Sequence, residues 1–561
     1  VSATNGDVST PSTTGVTTIP ASDSVLIKLQ NGCTFKNMAF DGTYTVGALL
    51  TLSGKWGKYG TASLNSLELW FDAICSQGGL ARDNGDMWNV RAVVLDVSAG
   101  ASTADHLPIV TSLAEMLANG TYGNISVIIA PYSSTLTPIA AAAVSGSGIP
   151  MVAAQAAASS VYTCASVSDT GCAGKAIGDR RFAGLFGVLP TAETYLDGTL
   201  QLLAAAGVKT VGFVLESSKT FSQATCAGAK ITAATLGLTM MYEYNITADT
   251  LSVEEAASVA TNASASGVEA VLGCTYLATA ITVLEGYAEA GVGMPNALGM
   301  TGIVTANTAT TPAVMAANNL QYVLGPASWS AELIGAGYTV PLAAVSQFNL
   351  FPSNAGEASA TLFNTSYTTK FGVEPIPQAV QYIGALYAVA TALMNTANAG
   401  STAITTTLQA TDIASPFGTV EFGASGNDAT KSMINFQWNA ALELEVVAPE
   451  ASKTMNFVYP IPSTTTPATT VAASTTEQNG TTFSATNSDA STATGATSSV
   501  SVSNTIASTA TGVSSSVSAT NGDVLTPSTT GVTTTPASDS VIAKLQNGCT
   551  SNGVAFDGTY T

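Results

Sequence analysis

The chain of 561 residues carries only 16 Lys and Arg against 36 Asp and Glu, a formal net charge of −20. It cannot present the basic stripe that a phosphate backbone requires, so nucleic acid is excluded as a partner, and the same acidity argues against anionic membrane surfaces. Its apolar residues concentrate in Val46 to Tyr459, and their runs carry Gly, Pro or polar interruptions, so none reads as a membrane-spanning helix.

Residues 1–45 come first. "VSATNGDV" at Val1 returns letter for letter at Val517, and residues 1–45 as a whole recur as residues 517–561 with eight differences. Self-similarity of this quality marks a repeat. The expectation is a unit of 516 residues followed by the start of a second, cut from a longer tandem array. Residues 1–45 are then a linker end and leader, and residues 541–561 the leader of the next repeat. The stretch "ASDSVLIKLQNGCT" is apolar enough to dock on the domain that follows it, and "ASDSVIAKLQNGCT" preserves that character.

Next, "TVGALLTLS" reads as a strand. "SLNSLELWFDAICSQGG" reads as a helix with Leu64, Leu67, Leu69, Phe71, Ile74 and Cys75 near one stripe before a Gly-Gly stop. Strand and helix then alternate through "VRAVVLDV", "LPIVTSLAEMLANG", "ISVIIAPY", "TPIAAAAVSGSG" and "IPMVAA". After the loop "CASVSDTGC" a second series opens with "RFAGLFGVL" and runs through "KTVGFVLE", "TMMYEY" and "VEAVLGC", each followed by a helical pattern. Continuous Val/Ile/Leu runs indicate strands covered on both faces, so the fold class is α/β, two lobes of doubly wound parallel sheet. Such sheets bind ligands at the carboxyl ends of their strands, which makes the cleft between the lobes the default site. From Pro460 to about Ser540 the residues are mostly Ser, Thr, Ala, Val and Gly, with Phe483 almost the only aromatic, and no packed core forms from them. Residues 460–540 are expected to be an extended linker bearing glycans.

Sequons at Asn119, Asn124, Asn245, Asn262, Asn364 and Asn479, together with the mucin-like tract, favour a secretory route and an extracellular location. The cysteines agree. Cys33, Cys75, Cys164, Cys172, Cys226 and Cys274 form an even set, with Cys549 the repeat copy of Cys33, and no CxxC spacing suggests zinc or thioredoxin-like chemistry. Cys164 and Cys172 enclose a short loop and are expected to pair; sequence alone leaves the remaining connectivity open.

Four stretches together carry a family resemblance: "VGALLTLSGKWGKYGTASLNSLELWFDAI", "VIIAPYSSTLTPIAAAAVSGSGIPMVAA", "VEAVLGCTYLATAITVLEGYAEAGVGMP" and "PFGTVEFGASGNDATKSMINFQW". The sequence resembles the type I periplasmic-binding-protein superfamily, specifically its branched-chain amino-acid-binding group, shared with eukaryotic receptor ectodomains. The resemblance covers roughly Val46 to Val447. It implies a non-enzymatic protein of two lobes joined by three crossovers, with a hinge that closes on a small solute. It also implies one domain over residues 46–459, the first lobe from about 46–175 and 330–410, the second from about 176–329 and 411–450. Under that fold Cys33 pairs with Cys75 and Cys226 with Cys274, and Cys549 pairs with the equivalent of Cys75 in the next unit.

The family's binding positions carry over one at a time. Ser133, Ser134 and Thr135 in "APYSST" keep the hydroxyls that hold a ligand carboxylate in the family. Ala157 stands where a Thr usually helps to bind the amino group. Phe221 corresponds to the aromatic of the second lobe. An acid expected just past "VEAVLGC" is absent, and Tyr276, Leu277, Ala278 and Thr279 stand there instead. A buried ammonium without a carboxylate costs several kcal/mol, so amino-acid binding is expected to be lost or altered, leaving a neutral or sugar-like solute.

Catalytic candidates are few. His106 is the only histidine and reads as a surface or capping residue. Asp96, Asp179, Arg180, Arg181 and Glu216 are strand-end or rim charges whose ordinary roles are capping and ion pairing. No nucleophile elbow, phosphate loop or dinucleotide fingerprint is present, and neither a cofactor nor a metal is expected. Two readings follow. The first is a structural subunit of a secreted, glycosylated fibril or coat, its copies joined head-to-tail through Ser/Thr-rich linkers. The second is an extracellular solute-binding or receptor ectodomain.

Overall fold

A computed structural model describes residues 26–28, 33, 39–98, 103–248, 250–306, 320–335, 359–428 and 430–462. The linker after residue 462, the second leader with Cys549, and Asn479 lie outside the described residues.

The first sheet is formed by β1 (Leu26–Lys28), β2 (Gly42–Leu50), β3 (Leu80–Ala81), β4 (Met87–Asp96), β5 (Val127–Ile129), β6 (Met151–Ala153) and β7 (Leu185–Gly187), in the order β1-β4-β2-β5-β6-β7 with β3 beside β4. All pairs are parallel except β1 and β3 against β4. The helices of this half of the chain are α1 (Gly57–Ser76), α2 (Thr103–Ala118), α3 (Thr137–Val144) and α4 (Ser159–Tyr162). The expected stripe of α1 is buried except that Trp70, not Phe71, is the fully buried aromatic. Helical spacing brings Trp70 in line with Leu67 and Ile74, whereas Phe71 falls at the margin and stays half-buried.

Then follow α5 (Asp197–Ala205), β8 (Thr210–Glu216), α6 (Thr220–Thr235), β9 (Thr239–Ile246), α7 (Val253–Ala265), β10 (Ala270–Cys274), α8 (Leu277–Ala290), β11 (Ala297–Met300), β12 (Leu324–Ala327) and α9 (Glu332–Gly335). Ser252 caps α7 by accepting from the Glu255 N–H, and α8 stops at Gly291, which takes the left-handed conformation that favours glycine. The chain continues through α10 (Ser359–Phe371), α11 (Pro377–Asn395), α12 (Ser401–Gln409), the hairpin β13 (Asp412–Ser415) and β14 (Gly418–Glu421), then β15 (Ile434–Trp438) and β16 (Leu444–Ala448). The second sheet runs β16-β15-β12-β11-β10-β8-β9, parallel from β12 to β9 and antiparallel at β15 and β16.

The helix α11, buried around nearly its whole circumference, locks against the first lobe. Ser66 Oγ on α1 donates to Ala379 O at 2.8 Å, and Tyr44 OH on β2 donates to Leu393 O at 3.0 Å. Two expected lobe boundaries shift. Residues after 176 were assigned to the second lobe, yet β7 pairs with β6 and completes the first sheet. Residues 411–421 were also assigned there, yet β13 and β14 pack on α11. Both shifts have one cause: the chain crosses between lobes only after its backbone has satisfied the first sheet's ladder, at Gly187, whose N–H donates to Gly426 O and whose carbonyl accepts from Asp428 N–H. Two of the crossing segments are thus stitched side by side.

Among the described residues three disulfides are present: Cys33–Cys75, Cys164–Cys172 and Cys226–Cys274. Among the described residues no helix is long and apolar enough to cross a membrane.

Candidate binding cleft

In both sheets the strand order reverses beside one strand. β2 lies between β4 and β5, and β8 between β9 and β10, so the turns at the carboxyl ends of β2, β5, β8 and β10 splay apart and leave a crevice. These turns supply the site: Trp56 and Tyr59 after β2, Tyr132 and Ser134 after β5, Phe221 after β8 and Tyr276 after β10. Gly60 lets them approach. A Cβ at Gly60 would stand 1.7 Å from Thr51 O, so only glycine allows α1 to leave the strand this steeply and aim Tyr59 into the crevice.

The rings form a continuous aromatic wall across the cleft. Tyr59 stacks on Tyr132 with centroids 5.1 Å apart, and Trp56 lies 5.3 Å from Tyr132. Trp56 then reaches the other lobe, meeting Tyr276 edge-on at 4.7 Å. Tyr276 continues to Phe221 at 5.4 Å, and Phe221 to Tyr195 at 5.3 Å. A second link crosses the same gap, a 3.3 Å hydrogen bond between the Thr135 and Thr220 hydroxyls. The cleft is therefore closed, and it holds about 100 Å³ of free space, against about 10–15 Å³ on the same measure for one water.

Among the described residues that line it, none carries a charge. Burial pushes the Tyr59 hydroxyl up to about 12, and raises those of Tyr132, Tyr195 and Tyr276 well above the ordinary tyrosine range. Every phenol is neutral at physiological pH. Two polar atoms on the wall, Thr275 Oγ1 and Gln378 Oε1, are buried without a hydrogen-bond partner. Unsatisfied buried groups cost about 1–3 kcal/mol each and are rare in folded proteins.

The positions singled out from sequence fall in different places. Ser134 lines the wall, its Oγ accepting from both Ala157 N–H and Ala158 N–H at 3.0 Å, which leaves its own proton to donate. Ser133 has a φ of 96°, a strained value for a non-glycine residue. Its hydroxyl accepts from Leu136 N–H instead of facing the cleft. Thr135 is used in the bridge to Thr220. Ala157, Phe221 and Tyr276 all line the cleft. Asp96 accepts from Leu52 N–H and Ser98 N–H and so fastens its own turn. Arg180 donates to Leu185 O, and Arg181 to Thr170 O and Ser160 O, away from the cleft. The side chain of His106 is outside the described residues. Asn119, Asn124, Asn245 and Asn262 are exposed, while Asn364 is half-buried on α10. Glu216, the last residue of β8, is buried and binds the start of α8 through Tyr276 N–H and the Thr279 hydroxyl, and it is not among the residues that line the cleft. Trp56, Tyr59 and Tyr132 were not singled out from sequence. The signal available was their position in the segments that follow the carboxyl ends of β2 and β5. No group of three or more metal-ligating side chains exists among the described residues.

A family model described as periplasmic binding protein matches residues 43–443. Among solved structures, the chain is similar to the branched-chain amino acid transporter substrate binding protein LivJ of Streptococcus pneumoniae in complex with isoleucine. The two share 17% identity over 72% of this chain and 100% of that one, with a TM-score of 0.54. The leucine binding protein LivK of Thermotoga maritima shares 14% identity over 72% of this chain and 98% of its own, TM-score 0.54. An ABC transporter solute binding protein of R. palustris in complex with benzoate shares 18% over 73% and 99%, TM-score 0.53. Among curated proteins no match is found.

Proposed function

The chain belongs to the periplasmic binding proteins, and from that premise we propose that its domain is an extracellular solute-binding module whose two lobes close on a small uncharged solute. The observation that carries this reading is the lining: aromatic rings from both lobes, hydroxyls and amides between them, and no charged side chain among the described residues. An aromatic wall offers a flat apolar face, while the Ser134 hydroxyl offers a hydrogen bond that fixes orientation. The solute this chemistry suits has a flat or CH-rich face and several hydroxyl or carbonyl groups, such as a sugar or a neutral hydroxylated ring. The disulfides support an oxidising compartment outside the cytoplasm.

The reading as a fibril or coat subunit rests on the terminal repeat, whose second copy lies outside the described residues, and on the Ser/Thr-rich linker, which does too. The two readings are compatible, since a bead in an array retains its cleft.

The test is a thermal-shift screen of the full chain against neutral sugars and hydroxylated aromatics, with charged counterparts of each. Stabilisation by a neutral compound but not by its charged counterpart supports the reading. Stabilisation only by charged amino acids or carboxylates overturns it.

A further inference from the structure

We propose that the outer edge of the first sheet is a receptor for a leader strand, and that the second leader, residues 541–561, occupies that receptor on a second copy of this chain. In the structure the receptor is filled by the first leader. β1 pairs antiparallel with β4 in the register Leu26↔Leu95, Ile27↔Val94 and Lys28↔Val93, and ends the sheet on that side. Beyond it the Asn89 side chain grips the backbone of Cys33 at both ends: Cys33 N–H donates to Asn89 Oδ1 at 2.8 Å, and Asn89 Nδ2 donates to Cys33 O at 3.4 Å. Cys33 is buried and bonded to Cys75 near the end of α1. The described hold on the leader thus consists of a strand ladder, an amide clamp on the backbone and one disulfide. Only the last of these demands a particular residue type from the leader.

The second leader meets that demand. Lys544 to Thr550, "KLQNGCT", repeats Lys28 to Thr34 letter for letter, while Leu26 and Ile27 are replaced by Ile542 and Ala543, changes to which a backbone ladder is indifferent. Cys549 is the seventh cysteine of a chain whose other six form the three disulfides. The matching receptor among the described residues is already filled. Exchange of a near-identical element between copies remakes the backbone ladder, the backbone clamp and the disulfide, so it meets little energetic resistance, and because donor and receptor are different surfaces the contact runs head-to-tail.

The covalent step needs no oxidant. The Cys549 thiolate attacks Sγ of Cys75 on the second copy, the Cys75–Cys549 bond forms as Cys33–Cys75 breaks, and Cys33 leaves as a thiolate that takes up the proton Cys549 gave.

The test uses full chains in two versions. The donor carries Cys33→Ser and Cys75→Ser, leaving Cys549 free, and the acceptor carries Cys33→Ser and Cys549→Ser, leaving Cys75 free. Mixed in a glutathione redox buffer, they are expected to give a covalent heterodimer whose linked peptides contain Cys75 and Cys549. Adding Ile27→Pro to the acceptor, which disrupts the resident strand, should raise the yield several-fold. A yield no greater than that of a donor with residues 541–548 scrambled overturns the proposal. Should the variants fold poorly, isotope-light and isotope-heavy wild-type chains are mixed under thiol exchange. A Cys75–Cys549 peptide of mixed isotope supports the proposal; its formation only within single chains, or not at all, overturns it.

Discussion

Glu216 and Thr279 are joined across two neighbouring strand-to-helix turns of the second lobe: the Thr279 hydroxyl donates to Glu216 Oε1 at 2.7 Å, and Tyr276 N–H donates to the other carboxylate oxygen. A buried negative charge thereby caps the start of α8, where the helix dipole favours it, and fixes the backbone that carries Tyr276. Glu216→Ala is expected to lower the unfolding free energy by about 2–4 kcal/mol and Glu216→Gln by less, because the amide oxygen still accepts one bond. Urea unfolding of both variants measures this, and equal losses would count against the capping role.

Trp56 spans the cleft more than it builds the core. Trp56→Ala is expected to weaken binding of a cleft solute by at least about tenfold, or 1.4 kcal/mol, while lowering stability by about 1–3 kcal/mol, the scale of its aromatic pairs. Calorimetric titration beside thermal melting separates the two effects.

Alkaline pH acts on the tyrosine wall. Burial holds the Tyr59 hydroxyl up to about 12 in the folded chain, above its ordinary value of 10.0. The unfolded chain releases that proton first, so this contribution is complete below about pH 10 and is lost as pH rises towards about 12. Tyr59→Phe should flatten the alkaline fall in stability by on the order of 2 kcal/mol, read from unfolding curves at successive pH values.

Free leucine is expected to leave the melting temperature unchanged. Ala157 brings no hydroxyl to an amino group, and no charged side chain lines the cleft among the described residues. A true ligand at 100 times its dissociation constant would add about 2.7 kcal/mol, a shift that a melting scan with millimolar leucine would detect.

Glycosylation should be uneven. In a secretory host, Asn119, Asn124, Asn245 and Asn262 are expected to carry N-glycans because they are exposed, while Asn364 stays bare, since it is half-buried on a helix with its Oδ1 buried. Glycopeptide mass spectrometry of the five sites decides this.

The alternation of apolar runs made the parallel strands legible, because strands covered on both faces must be apolar throughout. Ser134 was legible from a resemblance, Phe221 and Tyr276 likewise. Trp56 was not: its partner across the cleft, Tyr276, lies more than two hundred residues away, in a turn that only folding brings near. Glu216 was seen as a rim charge because its strand, β8, neighbours β10 in space though not in sequence.

The two ends of the domain are anchored on opposite lobes. The incoming leader is bolted to the first by Cys33–Cys75, and the outgoing chain leaves the second where Ile461 N–H donates to Asn296 O. A pull along the polypeptide therefore passes through the crossovers stitched at Gly187 and loads the contact between Trp56 and Tyr276. The cleft is in mechanical series with these two anchors, so tension and occupancy work against each other: a solute that clamps the lobes resists the pull, and a pull that parts the lobes favours its release.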